Sequence, residues 1–156
     1  MSIQAIDPSV RYPQSGVIPF RMVDGDIQIL LITTNSRKHW TIPKGLIEDG
    51  MSAAESAVHE AYEEAGIRGE LHEISVGRYQ YHKWGGTCDV AVFLMAVTRL
   101  LDHWPEAYFR ERVWCSIDDA RQMVKHKGLS DMIGQIESVI PKMSTRSANG
   151  QSNAVE

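Results

Sequence analysis

The amino-acid sequence predicts a mixed α+β fold, a sheet flanked by helices, on three observations. Short apolar runs separated by turn residues recur along the chain, a sharply capped helical segment lies among them, and no repeat or long linker divides the whole. At 156 residues and 43% hydrophobic content, the chain can form one domain with a proper core.

Residues 1–13 contain Pro8 and Pro13 and are expected to form a loosely held arm before a domain spanning 14–143. Residues 15–23 (SGVIPFRMV) and 27–34 (IQILLITT) read as strands joined at Asp24-Gly25-Asp26, because Asp-Gly between apolar runs is a strong hairpin signal. Trp40 to Ile42 forms a short extended piece before Pro43, which disfavours helix at the residue preceding it. A helix then begins after Ser52. Ser52 and Glu55 have the spacing of a capping box, and Gly66 supplies the stop. Ala54, Ala57, Val58, Ala61 and Ala65 share one stripe of that helix, and such small side chains let it lie close against a sheet.

Strands follow at roughly 70–82 and 87–98, the second so continuously apolar (TCDVAVFLMAVT) that a central place is expected. Residues 110–117 (RERVWCSI) read as a last strand, and Ile117–Val124 and Leu129–Ile140 as helices, with Ser116 or Asp118 capping the first. The segment 144–156 (STRSANGQSNAVE) is polar and is expected to be disordered.

A net charge of −4 provides no general attraction to nucleic acid or membrane surfaces, so neither is an expected partner. Cys88 and Cys115 lack CxxC spacing and sit in apolar runs, which points to buried free thiols and a reducing compartment. The N-terminal stretch has no apolar signal core and no 18-residue apolar run occurs, so a cytoplasmic protein, monomeric or homodimeric, is expected. The HExxH, dinucleotide-fingerprint and Walker patterns are absent.

The chemistry-bearing residues concentrate between Gly45 and Gly66 (GLIEDGMSAAESAVHEAYEEAG). At about 100° per residue, Glu60, Glu63 and Glu64 fall within roughly 100° of arc on one helix face. Carboxylates so crowded repel one another unless cations sit among them. Hard divalent ions such as Mg2+ take oxygen ligands of this kind, alongside substrate phosphates.

Gly45, Glu60, Ala61, Glu63, Glu64, Gly66 and Ile67 resemble the Nudix box, G-x5-E-x7-R-E-U-x-E-E-x-G-U with U apolar, and the spacing is intact. Met51 stands where the pattern has its first Glu, and His59 where it has Arg. The resemblance implies a Nudix-like α/β/α sandwich with a mixed β-sheet, the box forming a loop-helix-loop. It implies Mg2+- or Mn2+-dependent hydrolysis of a diphosphate-containing small molecule. Glu60, Glu64 and the backbone carbonyl of Lys44 would hold the metal, and Glu63 would be the general base.

The runs SGVIPFR, NSRKHWTIPKG and RERVWCSIDDA, with the later His-Lys pair, resemble one branch of the family, which hydrolyses diphosphoinositol polyphosphates and diadenosine polyphosphates. In that branch Arg37, Arg112 and Lys127 fall at positions resembling substrate-phosphate contacts, and Lys44 beside the box glycine is a further phosphate-binding candidate. Tyr12 to Ser15 stand where the branch carries a basic stretch, which weakens the inositol reading and puts a dinucleoside polyphosphate or a nucleotide sugar level with it. Adenine would find a stacking partner in Tyr79, Tyr81 or Trp84 if these are not simply strand residues. The two box departures define an alternative, a catalytically weakened module that binds a nucleotide or phosphate metabolite as a sensor. Glu48 and Glu55 are the nearby acids able to replace the one lost at Met51, although Glu55 also suits the helix cap.

Overall fold

Alternation along the long strands sorts apolar side chains onto two faces, and each face is covered by helix. The computed structural model describes residues 5–140. Eight strands form one sheet: β1 (Arg11–Val23), β2 (Asp26–Thr33), β3 (Trp40–Thr41), β4 (Lys44–Leu46), β5 (Ile67–Leu71), β6 (Gly77–Lys83), β7 (Gly86–Leu100) and β8 (Arg112–Cys115). The helices are α1 (Ala53–Ala65), α2 (Ile117–Met123) and α3 (Lys127–Gln135), with a short 3-10 turn at Ile136–Ser138.

The sheet is mixed. β1 and β7 run parallel from Arg11 opposite Thr87 to Phe20 opposite Ala96, and the other pairings are antiparallel. On one face Ile18, Phe20, Ile29, Leu31, Val90, Val92 and Leu94 pack with Leu129, Met132 and Ile133 of α3. On the other, Val17, Leu30, Ile32, Ala91, Phe93 and Met95 pack with Ala57, Ala61 and Ala65 of α1. This α/β/α arrangement is the layering read from the sequence. Among the described residues, no helix is long and apolar enough to cross a membrane.

Local signals explain most element ends. Asp24 and Gly25 both have positive φ (51° and 84°), as a two-residue hairpin turn with the natural strand twist requires. At α1 the Ser52 hydroxyl accepts from the Glu55 N–H while the Glu55 carboxylate accepts from the Ser52 N–H. Gly66 closes the helix in the left-handed region at φ 65°. Ser116 caps α2 by accepting from the Asp119 N–H.

Three expectations change. The arm is not loose throughout: β1 begins at Arg11, and the Asp7 N–H donates to the Gly85 carbonyl at 2.9 Å while the Thr87 N–H donates to the Val10 carbonyl at 2.9 Å. The run read as one strand over 70–82 is two, β5 and β6, which pair with different halves of β7. The last helix starts at Lys127 and gives way to a 3-10 turn after Gln135. Both cysteines are free thiols, Cys88 buried and Cys115 only half-buried. The tail at 144–156 lies outside the described residues.

The helix stop provides a sharp test. An added Cβ at Gly66 would lie 2.7 Å from the Trp104 ring, on top of the cost of placing an L side chain in the left-handed region. That cost alone is about 1–2 kcal/mol. Gly66→Ala is therefore expected to lower Tm by at least about 3 °C in thermal unfolding followed by circular dichroism.

Candidate active site

The acidic flank of α1 faces β4, and the two approach so closely that only glycine fits between them. A Cβ built on Gly45 would stand 2.5 Å from the Glu60 carboxylate carbon and 2.6 Å from both its oxygens. Glu60 therefore lies directly against the Gly45 backbone. One turn further along, the Lys44 N–H donates to Glu64 Oε1 at 3.0 Å. The helix and the short strand are thus joined through two carboxylates.

Around this junction opens a cavity of about 710 Å3. Glu60, Glu64 and Glu48 supply its acids; Lys44, Lys83, Lys125 and Arg110 are its basic members; Trp40, Tyr81, Trp84 and His126 are its aromatic ones. Lys44 Nζ sits 4.8 Å over the Tyr81 ring, whose hydroxyl donates to Gln14 at 2.8 Å.

Burial dominates the electrostatics. It raises Glu60 from the ordinary 4.5 to about 7, and the neighbouring charges of Glu106, Glu63 and Glu48 push the same way. Glu64 is also raised by burial, although Arg110 and the Lys44 N–H pull it back. Burial pushes the Lys44 ammonium down, against the opposing pull of Glu64.

Residues 13–134 match the NUDIX domain family. The chain belongs to the Nudix family. It is 32% identical over 137 residues to Nudix hydrolase 16, mitochondrial, of Arabidopsis thaliana, covering 76% of each chain. It is 29% identical over 124 residues to the diphosphoinositol polyphosphate phosphohydrolase 3-alpha of Mus musculus, covering 78% of this chain and 74% of that one. Against other Nudix hydrolases of Arabidopsis thaliana the chain spans less, 66% of the length of Nudix hydrolase 12 and 49% of Nudix hydrolase 4. Among solved structures, a C. elegans Ap4A hydrolase binary complex superposes with a TM-score of 0.70 at 20% identity, over 84% of this chain and 98% of that one. That last likeness is one of fold.

The structure brings together only part of the predicted site. Glu60, Glu64 and Lys44 line the cavity. Glu63 does not: its carboxylate faces His59 at 3.6 Å on the outer side of α1, so His59 engages an outer acid and not the inner pair. Arg37 has its guanidinium on Glu111 at 3.0 Å, both exposed, beside the cavity and not among its lining residues. Arg112 is spent elsewhere, because Nη1 donates to the Ala65 carbonyl at 3.0 Å and the Leu101 carbonyl at 2.9 Å while the guanidinium stacks 3.9 Å from the Trp104 ring. It satisfies the last carbonyl of α1, whose last turn has no basic residue of its own, and ties it to the chain after β7. Lys127 is exposed and bonds Asp131 one turn on. Tyr79 is buried in the core, whereas Tyr81 and Trp84 border the cavity. Of the acids near Met51, Glu55 is taken by the cap, whereas Glu48 reaches the cavity.

Sequence reasoning missed Arg110, whose side chain is only 5% exposed. Its Nη2 donates to Glu64 Oε2 at 3.0 Å and to Glu106 Oε1 at 2.8 Å, its Nε to Glu106 Oε1 at 2.9 Å, and its Nη1 to the Thr33 carbonyl at 2.7 Å. The only signal for it was a basic residue opening the RERVWCSI run, which reads as a last strand.

Two outcomes are expected. Gly45→Ala must displace the Glu60 carboxylate, so it is expected to leave the far-ultraviolet circular dichroism unchanged and to lower hydrolytic activity by about 10-fold or more. The second outcome concerns pH. A carboxyl raised in the folded state binds more protons folded than unfolded, so its contribution to stability is present at low pH and lost as pH rises from about 4.5 to about 7. Metal-free protein is therefore expected to lose stability across that window in urea titrations, and Glu60→Gln to flatten the slope.

Proposed function

We propose that the chain is a divalent-metal-dependent pyrophosphohydrolase that cleaves a phosphoanhydride bond in a small diphosphate- or polyphosphate-bearing substrate. The observation that supports this most directly is the pair Glu60 and Glu64, buried beside lysines and an arginine in one cavity. Among the described residues, no three His, Cys, Asp or Glu side chains stand close enough to hold a metal unaided. That suits Mg2+, which is commonly bound through one or two carboxylates, waters and the substrate's own phosphates.

Glu60 and Glu64, with the Lys44 carbonyl, are the groups that would hold Mg2+ or Mn2+. Once bound, such an ion neutralises phosphate oxygens and lowers the pKa of water. The protein's own groups divide the remaining work. Glu64, tied at both oxygens, is the fixed ligand. Glu60, held by packing against Gly45, is the second ligand. Lys44, Lys83 and Lys125 offer positive charge to the substrate phosphates.

Two substrate classes carried by relatives' names, diphosphoinositol polyphosphate and Ap4A, are the first to test. Three of the four predicted phosphate contacts lie outside the cavity lining, and Trp40, Tyr81 and Trp84 border it. Fewer cations and more aromatic surface favour the dinucleoside polyphosphate. The two inner carboxylates also favour turnover over a binding-only module, since a phosphate sensor gains nothing from acids facing its ligand.

With Mg2+ or Mn2+, wild-type protein is expected to release phosphate or nucleotide from diadenosine polyphosphates faster than from diphosphoinositol polyphosphates, nucleoside triphosphates or nucleotide sugars. Glu60→Gln and Glu64→Gln are each expected to lose about 100-fold or more. Ligand-induced thermal stabilisation without product across the panel would transfer the assignment to the sensor.

A further inference from the structure

We infer that Arg110 is a positioning residue for Glu64: it sets the orientation in which that carboxylate meets a divalent cation, while Glu106 offsets the guanidinium charge. The inference rests on the reading above that Glu64 is a metal ligand. The box position that carries Arg in the family pattern is His59 here, 3.6 Å from Glu63.

The geometry is that of a clamp. Glu64 Oε1 receives the Lys44 N–H at 3.0 Å and Oε2 receives Arg110 Nη2 at 3.0 Å, so both oxygens are fixed and the plane of the carboxylate is set. Each oxygen keeps a lone pair for a further partner. Arg110 is itself tied on all sides of its guanidinium. Its Nη1 is held by the Thr33 carbonyl at the end of β2, and the segment that carries it is stitched to α1, since the Glu106 N–H donates to the Glu63 carbonyl at 3.1 Å and Trp104 Nε1 to the Glu64 carbonyl at 3.0 Å. The ends of α1 and β2 thus meet through one side chain.

Charge explains the third member. A lone guanidinium on Glu64 would neutralise it and compete with an incoming cation. Glu106 takes two of the guanidinium's contacts, at 2.8 and 2.9 Å, so one positive charge is shared by two carboxylates and Glu64 retains attraction for a metal. Stability alone does not call for this network, because well-packed apolar replacements of buried ion pairs are often as stable or more so. Lysine cannot replace the fork, as its point charge does not reach three oxygens in a plane.

The test is Mn2+ binding, read by electron paramagnetic resonance with methylenediphosphonate supplying the phosphate oxygens, on wild type, Arg110→Lys, Glu64→Gln and the double variant. Arg110→Lys is expected to raise the Mn2+ Kd by about 10-fold or more in the wild-type background and to change nothing further in the Glu64→Gln background. Equal effects in both backgrounds, or none in the first, would overturn the positioning role. Wild-type protein that binds no Mn2+, or binds it equally well as Glu64→Gln, would instead bring down the metal-site reading on which the inference stands. Should Arg110→Lys not fold, 15N spectra of the arginine side chains decide the matter without it. Mg2+ is expected to shift the Arg110 resonances in wild type and not in Glu64→Gln, and an absent shift in wild type would refute the role.

Discussion

The close approach of α1 to β4 is the constraint on which the site depends. It requires small residues along the buried stripe of the helix, supplied by Ala57, Ala61 and Ala65, and no side chain at all on the strand, supplied by Gly45. Larger residues in either place would lift the helix and carry its carboxylates away from the Lys44 amide. Proximity has an electrostatic consequence, because it buries Glu60 and Glu64 in the same step that positions them. Folding and chemistry are opposed here: the packing that sets the two acids side by side also removes them from water at a cost in stability.

What the sequence revealed and what it concealed follow one physical rule. Features encoded by neighbours along the chain were legible, such as the Asp24-Gly25 turn, the Ser52–Glu55 box and the Gly66 stop, because each is decided within a few residues. The inner acids were legible too, since helical spacing fixes which of them share a face, whereas the pairing of Glu63 with His59 beside the cavity was not. Features decided across the fold were not. Arg112 and Arg110 are separated by one residue and look alike in sequence, yet one closes the end of α1 and the other enters the cavity. Nothing local distinguishes them; the pairing of β8 with β2 and the path of residues 104–111 do.

The same rule accounts for the two departures from the box. Met51 is partly exposed and its sulfur takes only the Ser56 hydroxyl at 3.6 Å, while Glu48 reaches the cavity from the same loop. An acid lost at one loop position is present at another. His59 ends up beside Glu63 and touches neither inner carboxylate. A basic group next to the inner acids is nevertheless there, delivered as Arg110 from the other end of the chain. Box positions judged one by one suggest damage, whereas the assembled site has its charges accounted for by residues the motif does not include.

Charge balance around Arg110 argues further for an active site over a merely stable core. Glu64 and Glu106 share the single guanidinium set between them, Glu60 has none, and the nearest ammonium, Lys44, is itself weakened by burial. A structural network would be expected to approach neutrality, because each uncompensated buried charge is costly. Here the surplus is negative at the α1 side of the cavity, where Glu60 and Glu64 lie, whereas Lys83 and Lys125 bring positive charge to its lining from β6 and from the segment between α2 and α3. A phosphate chain entering with its own divalent ion would place cation on the acids and anionic oxygens on the lysines, and the surplus of each sign would then be matched.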